Sequence, residues 1–138
     1  KKRGFDYNDF VTIYQSAYFA GKMPKENQQF DHVVITDDVR EYATEKLNIA
    51  ASLSIMRKRM LTDSPIFAGF FIGGMEGVLD EYELMKKYNP NARVYPIAST
   101  GAAAHILYNN LHEQGKINNT RLMNDYCYSS LFDDILNR

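Results

Sequence analysis

Three glycines and three carboxylates crowd the stretch from Gly73 to Glu81: Gly73, Gly74 and Gly77 interleave with Met75 and Glu76, and Asp80 and Glu81 follow on. An apolar run, residues 66–72, ends at Gly73, and an acidic, helix-forming run begins after Gly77. This order reads as strand, tight turn and helix start. The first amides of such a helix have no partner inside it, and with the helix dipole they favour a phosphate or another anion. Glu76 and Glu81 could hydrogen-bond a ribose diol or act as acid and base in N-glycosidic cleavage. They could equally complement the dipole, which is the reading taken for Asp80 and Glu83. A second turn, Ser99-Thr100-Gly101, precedes Ala102-Ala103-Ala104-His105. Its hydroxyls could donate to a phosphate or cap the helix that Gly101 opens.

These two turns need elements to hold them. Residues 66–72 and 93–98 are short apolar runs, each followed by a turn and a helix (about 77–88 and 101–113). That alternation implies parallel strands with helical crossovers, and ligands of such sheets bind at the carboxyl ends of the strands. Upstream, residues 9–14 and 32–36 read as two more strands, with residues 1–8 as a loop and a short helix near 16–20. Asp38-Val39-Arg40-Glu41 fits a helix N-cap with glutamate at the third position, and the helix would run to about Leu61. Tyr42, Ile49, Leu53, Met56 and Met60 would form its apolar stripe. Asn89-Pro90 ends the helix after the first glycine turn. Short helices follow from Asn119-Thr120 to about Cys127 and near residues 132–136. The fold class is α/β, a Rossmann-like parallel sheet flanked by helices, with all four strands in one sheet. Tyr14, at the close of the first strand, is a candidate stacking residue on the edge that carries both turns.

Composition narrows the classes. The chain has 138 residues and 45% hydrophobic residues, enough for one domain with one core. Its formal net charge of −1 gives no bulk attraction to nucleic acid or anionic membrane. No apolar run reaches the roughly 20 residues of a membrane span. One cysteine, Cys127, rules out an internal disulfide and fits a cytoplasmic location; between Tyr126 and Tyr128 it reads as a buried apolar side chain. The histidines form no metal-ligand spacing with it, so neither metal nor cofactor is expected. His105 reads as an interior or boundary residue.

Gly73-Gly74-Met75-Glu76-Gly77-Val78-Leu79-Asp80-Glu81 resembles the Gly-Gly-x-Gly-Thr-x-x-Glu signature of the SLOG superfamily, which joins Smf/DprA-like proteins to the LOG phosphoribohydrolases. Ile97-Ala98-Ser99-Thr100-Gly101-Ala102-Ala103 is similar to the subgroup found in bacterial conflict and antiphage systems. The resemblance covers roughly residues 10–111. It departs from the LOG enzymes in one extra residue, Met75 or Glu76, inside the turn, and in Val78 where those enzymes have threonine. The Arg/Lys residues expected beside the LOG catalytic glutamate are not evident. The chain resembles the C-terminal two-thirds of such a domain, without its N-terminal strand and first Gly-rich loop.

The resemblance implies a module that senses a nucleotide or NAD-derived second messenger for an antiphage defence protein. It would act as a homo-oligomer, together with an effector domain or protein of the same system, with no direct contact to nucleic acid or membrane. The expected ligand residues are Gly73, Gly74, Met75, Glu76, Gly77, Glu81, Ser99, Thr100, Gly101 and Tyr14. A side chain at Gly74 should then cost binding more than folding. The alternatives are a LOG-like N-glycosidase acting on nucleoside monophosphates, with Glu81 and Glu76 as catalytic groups, and a ligand-free oligomerisation domain.

Overall fold

The computed structural model describes residues 10–137; Asp9 and the loop expected over residues 1–8 lie outside them. The chain divides into two compact units, Lys1–Ser64 and Pro65–Arg138.

In the first unit, β1 (Thr12–Ser16) and β2 (His32–Thr36) pair in parallel, Tyr14 beside Val34 and Ser16 beside Thr36. Two 3-10 segments, Ala17–Lys22 and Lys25–Gln29, lie between them, the second opening after Pro24. Helix α1 (Glu45–Thr62) packs on both strands. It begins seven residues after Asp38, with Thr44 as N-cap, whose hydroxyl accepts from the Leu47 N–H at 3.3 Å. The Asp38 box does not form. Instead the segment leading into α1 is tied down by polar side chains of the helix itself. Asn48 accepts from the Tyr42 N–H at 2.9 Å and donates to the Tyr42 carbonyl at 3.2 Å. Ser52, one turn on, accepts from the Val39 N–H at 2.8 Å and donates to the Asn48 carbonyl at 2.7 Å. Asn48 and Ser52 are therefore buried, while Ile49, Leu53, Met56 and Met60 of the expected stripe are only half-buried. Tyr42 lies outside the helix and is 49% exposed. Buried backbone groups must be paired, and here that requirement outweighs the apolar stripe.

In the second unit, β3 (Ala68–Ile72) and β4 (Arg93–Ile97) pair in parallel around the crossover helix α2 (Glu76–Tyr88). A 3-10 turn, Ala98–Thr100, leads into α3 (Ala102–Glu113), and α4 (Arg121–Asn124) and α5 (Tyr128–Leu136) complete the unit. Period two along β3 sorts its side chains to two faces. Phe70 stacks on Tyr95 and meets Phe132 edge-on, each pair at 5.1 Å between ring centroids. This face joins Ile97, Tyr108, Leu122, Leu131 and Ile135 in the buried core. Phe71 meets Tyr82 of α2 edge-on at 6.0 Å, and Gly69 leaves room on the same face for Met85. The β3–β4 ladder thus has helices on both faces.

The strands at 32–36, 66–72 and 93–98 fall close to their expected places, and the first shifts two residues along the chain. All four are parallel in their pairs. The ladders join β1 only to β2 and β3 only to β4, however, so they form two small parallel sheets in a mixed α/β chain and not one four-stranded Rossmann-like sheet. Apolar alternation identifies a strand, but its neighbour is a long-range choice that local pattern does not encode. Cys127 also departs from expectation. It is exposed at the start of α5, where its N–H donates to Asp125 Oδ1 at 2.8 Å.

Candidate functional site

The parallel pairing of β3 with β4 sets the turn after Ile72 beside the turn after Ile97. Gly73 and Gly74 both take left-handed backbone, with φ of 54° and 79°. That conformation costs an L-residue roughly 1–2 kcal/mol and costs glycine almost nothing. It turns two successive carbonyls onto the start of α3: Gly73 accepts from the Ala104 N–H at 3.0 Å and Gly74 from the Ala103 N–H at 3.2 Å. In the other direction, the Gly73 N–H donates to Thr100 Oγ1 at 2.7 Å, and that hydroxyl donates to the Ile97 carbonyl. The two turns are latched together by these bonds.

The latch changes the roles expected of several residues. The Thr100 hydroxyl does not cap α3; it bridges the two turns. The amides of Ala103 and Ala104 bond carbonyls of the chain, so the expectation that both helix starts offer amides to one anion is not met at α3. Gly101, with φ of 78°, is the N-cap of α3 and has no side chain to cap it. Ala102 follows in left-handed backbone too, φ 50°, the only non-glycine among the described residues to do so. Ser99 Oγ is buried, with no hydrogen-bond partner among the described residues. A Cβ on Gly74 would lie 2.2 Å from Val78 Cγ2, so a side chain there strikes the protein before any ligand. The expected cost therefore moves from binding to folding.

Between the starts of α2 and α3 lies an open groove of about 610 Å³, lined by residues 74–77 and Leu79 on one side and by Ala102, Ala103 and Ile106 on the other. Met75, the N-cap of α2, is 85% exposed, and Ile106 is 50% exposed. Glu76, the first residue of α2, is the only ionisable side chain among the described residues that line the groove. Its carboxylate already complements the positive end of that helix. Gly74, Met75, Glu76 and Gly77 thus share one groove, while Gly73, Thr100 and Gly101 lie in the two turns and are not among its lining residues. Glu81 sits further along α2, half-buried and off the groove. Ala102, Ala103 and Ile106 were not singled out by sequence reasoning. The signal for them was the run of small residues after Gly101, with Ile106 one turn on.

Tyr14 belongs to the first unit. Its hydroxyl donates to Asp63 Oδ2 at 3.1 Å, an oxygen that also accepts from Arg59 Nε at 3.2 Å. Burial, and then the bond to Asp63, raises the Tyr14 pKa. His105 is exposed on α3. Among the described residues, no three His, Cys, Asp or Glu side chains gather as a metal site.

No curated protein and no solved structure matches the chain. A family model does, over residues 1–136, and it spans the glycine turn, the hydroxyl turn and the groove between their helices. The chain belongs to the SLOG cluster3 family.

Proposed function

We propose that this chain is the sensing domain of a bacterial antiphage defence protein and that it binds a nucleotide or NAD-derived second messenger. Membership of the SLOG family fits a nucleotide-related function. The observation that carries the reading is the groove at the latched glycine turns, lined by Gly74, Met75, Glu76 and Gly77. Its volume is that of a small-ligand site. The strained backbone of Ala102 at its edge supports the same reading, since such strain collects at ligand sites. In this account the chain forms one SLOG-like domain in the cytoplasm. It works as a homo-oligomer, passes its signal to an effector domain or protein of the same system, and touches neither nucleic acid nor membrane.

A second reading, N-glycosidic cleavage of a nucleoside monophosphate, draws on Glu76, whose carboxylate lies on the groove. Calorimetric titration of the full-length protein with cyclic nucleotides and ADP-ribose derivatives, alongside assays for ribose release from AMP and NAD, separates the two. Saturable binding with no ribose release is expected. Ribose release that disappears in Glu76→Gln would replace the sensor reading with the enzyme. Oligomers that form while no compound binds would leave an oligomerisation domain.

A further inference from the structure

We infer that copies of this chain join head to tail: the exposed stripe of α5 in one copy seats in the furrow at the carboxyl ends of α2 and α3 in the next. This rests on the homo-oligomer of the reading above and assigns its interface. The furrow lies at the ends of α2 and α3 remote from the glycine turn. It includes a cleft of about 290 Å³ with an apolar floor of Met85, Val94, Leu111 and Ile117. Among the described residues that line this cleft, the charged ones are Lys86 and Lys116, and none is a carboxylate. A neighbouring compartment shares Tyr82, Lys86 and Leu111 with it and adds the side-chain amides of Asn110 and Gln114, so the furrow continues between the two helices. Lys86 lies over the Tyr82 ring and pairs with Glu83 at 3.0 Å. Exposed pairs of this kind hold weakly, so Lys86 can donate to a second carboxylate.

The entering stripe is Ser129, Asp133 and Leu136, whose spacing puts them on one face of α5. All three are exposed, Leu136 at 64%, while Leu131 and Ile135 fill the core. Asp133 Oδ1 accepts from Asn137 Nδ2 at 2.8 Å, which holds the carboxylate on that stripe. A leucine left in water beside a carboxylate complements an apolar floor beside two ammonium groups. An amphipathic helix recognises an apolar groove in this way: Leu136 takes the floor, and Asp133 meets Lys86 and Lys116. Tyr82 and Met85 pack on the Phe71 face of the β3–β4 ladder, whereas Leu131 and Ile135 join the Phe70 face. Stripe and furrow thus lie on opposite faces of one copy, and the contact passes from copy to copy as a ring or an open chain.

The test is sedimentation velocity of the full-length protein over about a hundredfold range of concentration, on which assembly by mass action depends. The parent should grow beyond a dimer. Leu136→Glu spoils the stripe and Lys116→Glu spoils the cleft, and each alone should weaken association about tenfold or more. Both positions are exposed, so the thermal midpoint should not move. An equimolar mixture of the two variants keeps one sound stripe and one sound cleft, and it should form dimers that grow no further. A parent that stops at a dimer, parent-like assembly in both variants, or a mixture that behaves as the variants do alone overturns the inference and leaves the homo-oligomer to another surface. A parent that stays monomeric throughout removes the homo-oligomer too, while the small-molecule reading is judged by its own titration.

Discussion

Gly74 carries two constraints at once, a left-handed φ of 79° and a Val78 methyl where its Cβ would be. Gly74→Ala should therefore lower stability by about 2–4 kcal/mol, from left-handed strain plus overpacking. Adding Val78→Ala removes only the second term, so thermal melts should show the double variant partly recovered. A double variant no more stable than Gly74→Ala alone would place the whole cost in the backbone. Thr100→Val tests the latch. It leaves the Gly73 N–H without its acceptor and should cost about 1–3 kcal/mol, whereas Thr100→Ser should keep most of the stability. Equal losses in both variants would assign the cost to the lost methyl. At this scale the glycines and Thr100 were legible in the sequence as a cluster, because turns after strands have few residue types to choose from. Their hydrogen-bond partners were not, since the partners of Gly73 and Gly74 lie nearly thirty positions away, on α3 and the turn before it.

Elements followed the sequence where local rules act alone, as at β2, and at α2, which stops at Asn89-Pro90 as expected. The start of α1 departed because Asn48 and Ser52 pair the backbone of the preceding segment, a tertiary demand that no capping pattern reveals. Asn48→Ala should strip the Tyr42 N–H and carbonyl of their partner and cost about 1–2 kcal/mol. Asn48→Leu should fare no better if polarity is what matters; full stability in the leucine variant would make the site a matter of volume. Between α4 and α5, Arg121 bonds Asp125 at 2.7 Å and Asp134 at 2.9 Å. The Arg121 hydrogen bond, and then the Cys127 N–H, hold the Asp125 carboxyl below its usual pKa. The stability from this pairing is present above the unfolded aspartate value, about 3.9, and is lost as pH falls through the lowered folded value. Arg121→Gln should thus melt below the parent at pH 7, and the gap should close as the pH is taken below about 4. A gap that stays constant across that range would remove Asp125 from the account.

For the molecule as a whole, the strands, their parallel sense and the family are legible in the sequence, whereas which strand pairs with which is not. Two small ladders in two units satisfy the same alternation of short apolar runs and helices. A single family match covers residues 1–136 and so includes residues of both units. Charge near neutrality sets no long-range preference for polyanions, and among the described residues no helix is long and apolar enough to cross a membrane. On the proposed reading, recognition comes from local chemistry at the groove beside the latched turns. The most direct measurement is a titration of the isotope-labelled protein, followed through its backbone amides, with the tightest binder among the cyclic nucleotides and ADP-ribose derivatives. The amides of Gly74, Gly77, Ala102 and Ala103 should shift saturably and together, and Ile106→Glu should abolish the response. A ligand that binds while those four amides stay still, or a panel in which nothing binds, would contradict the account.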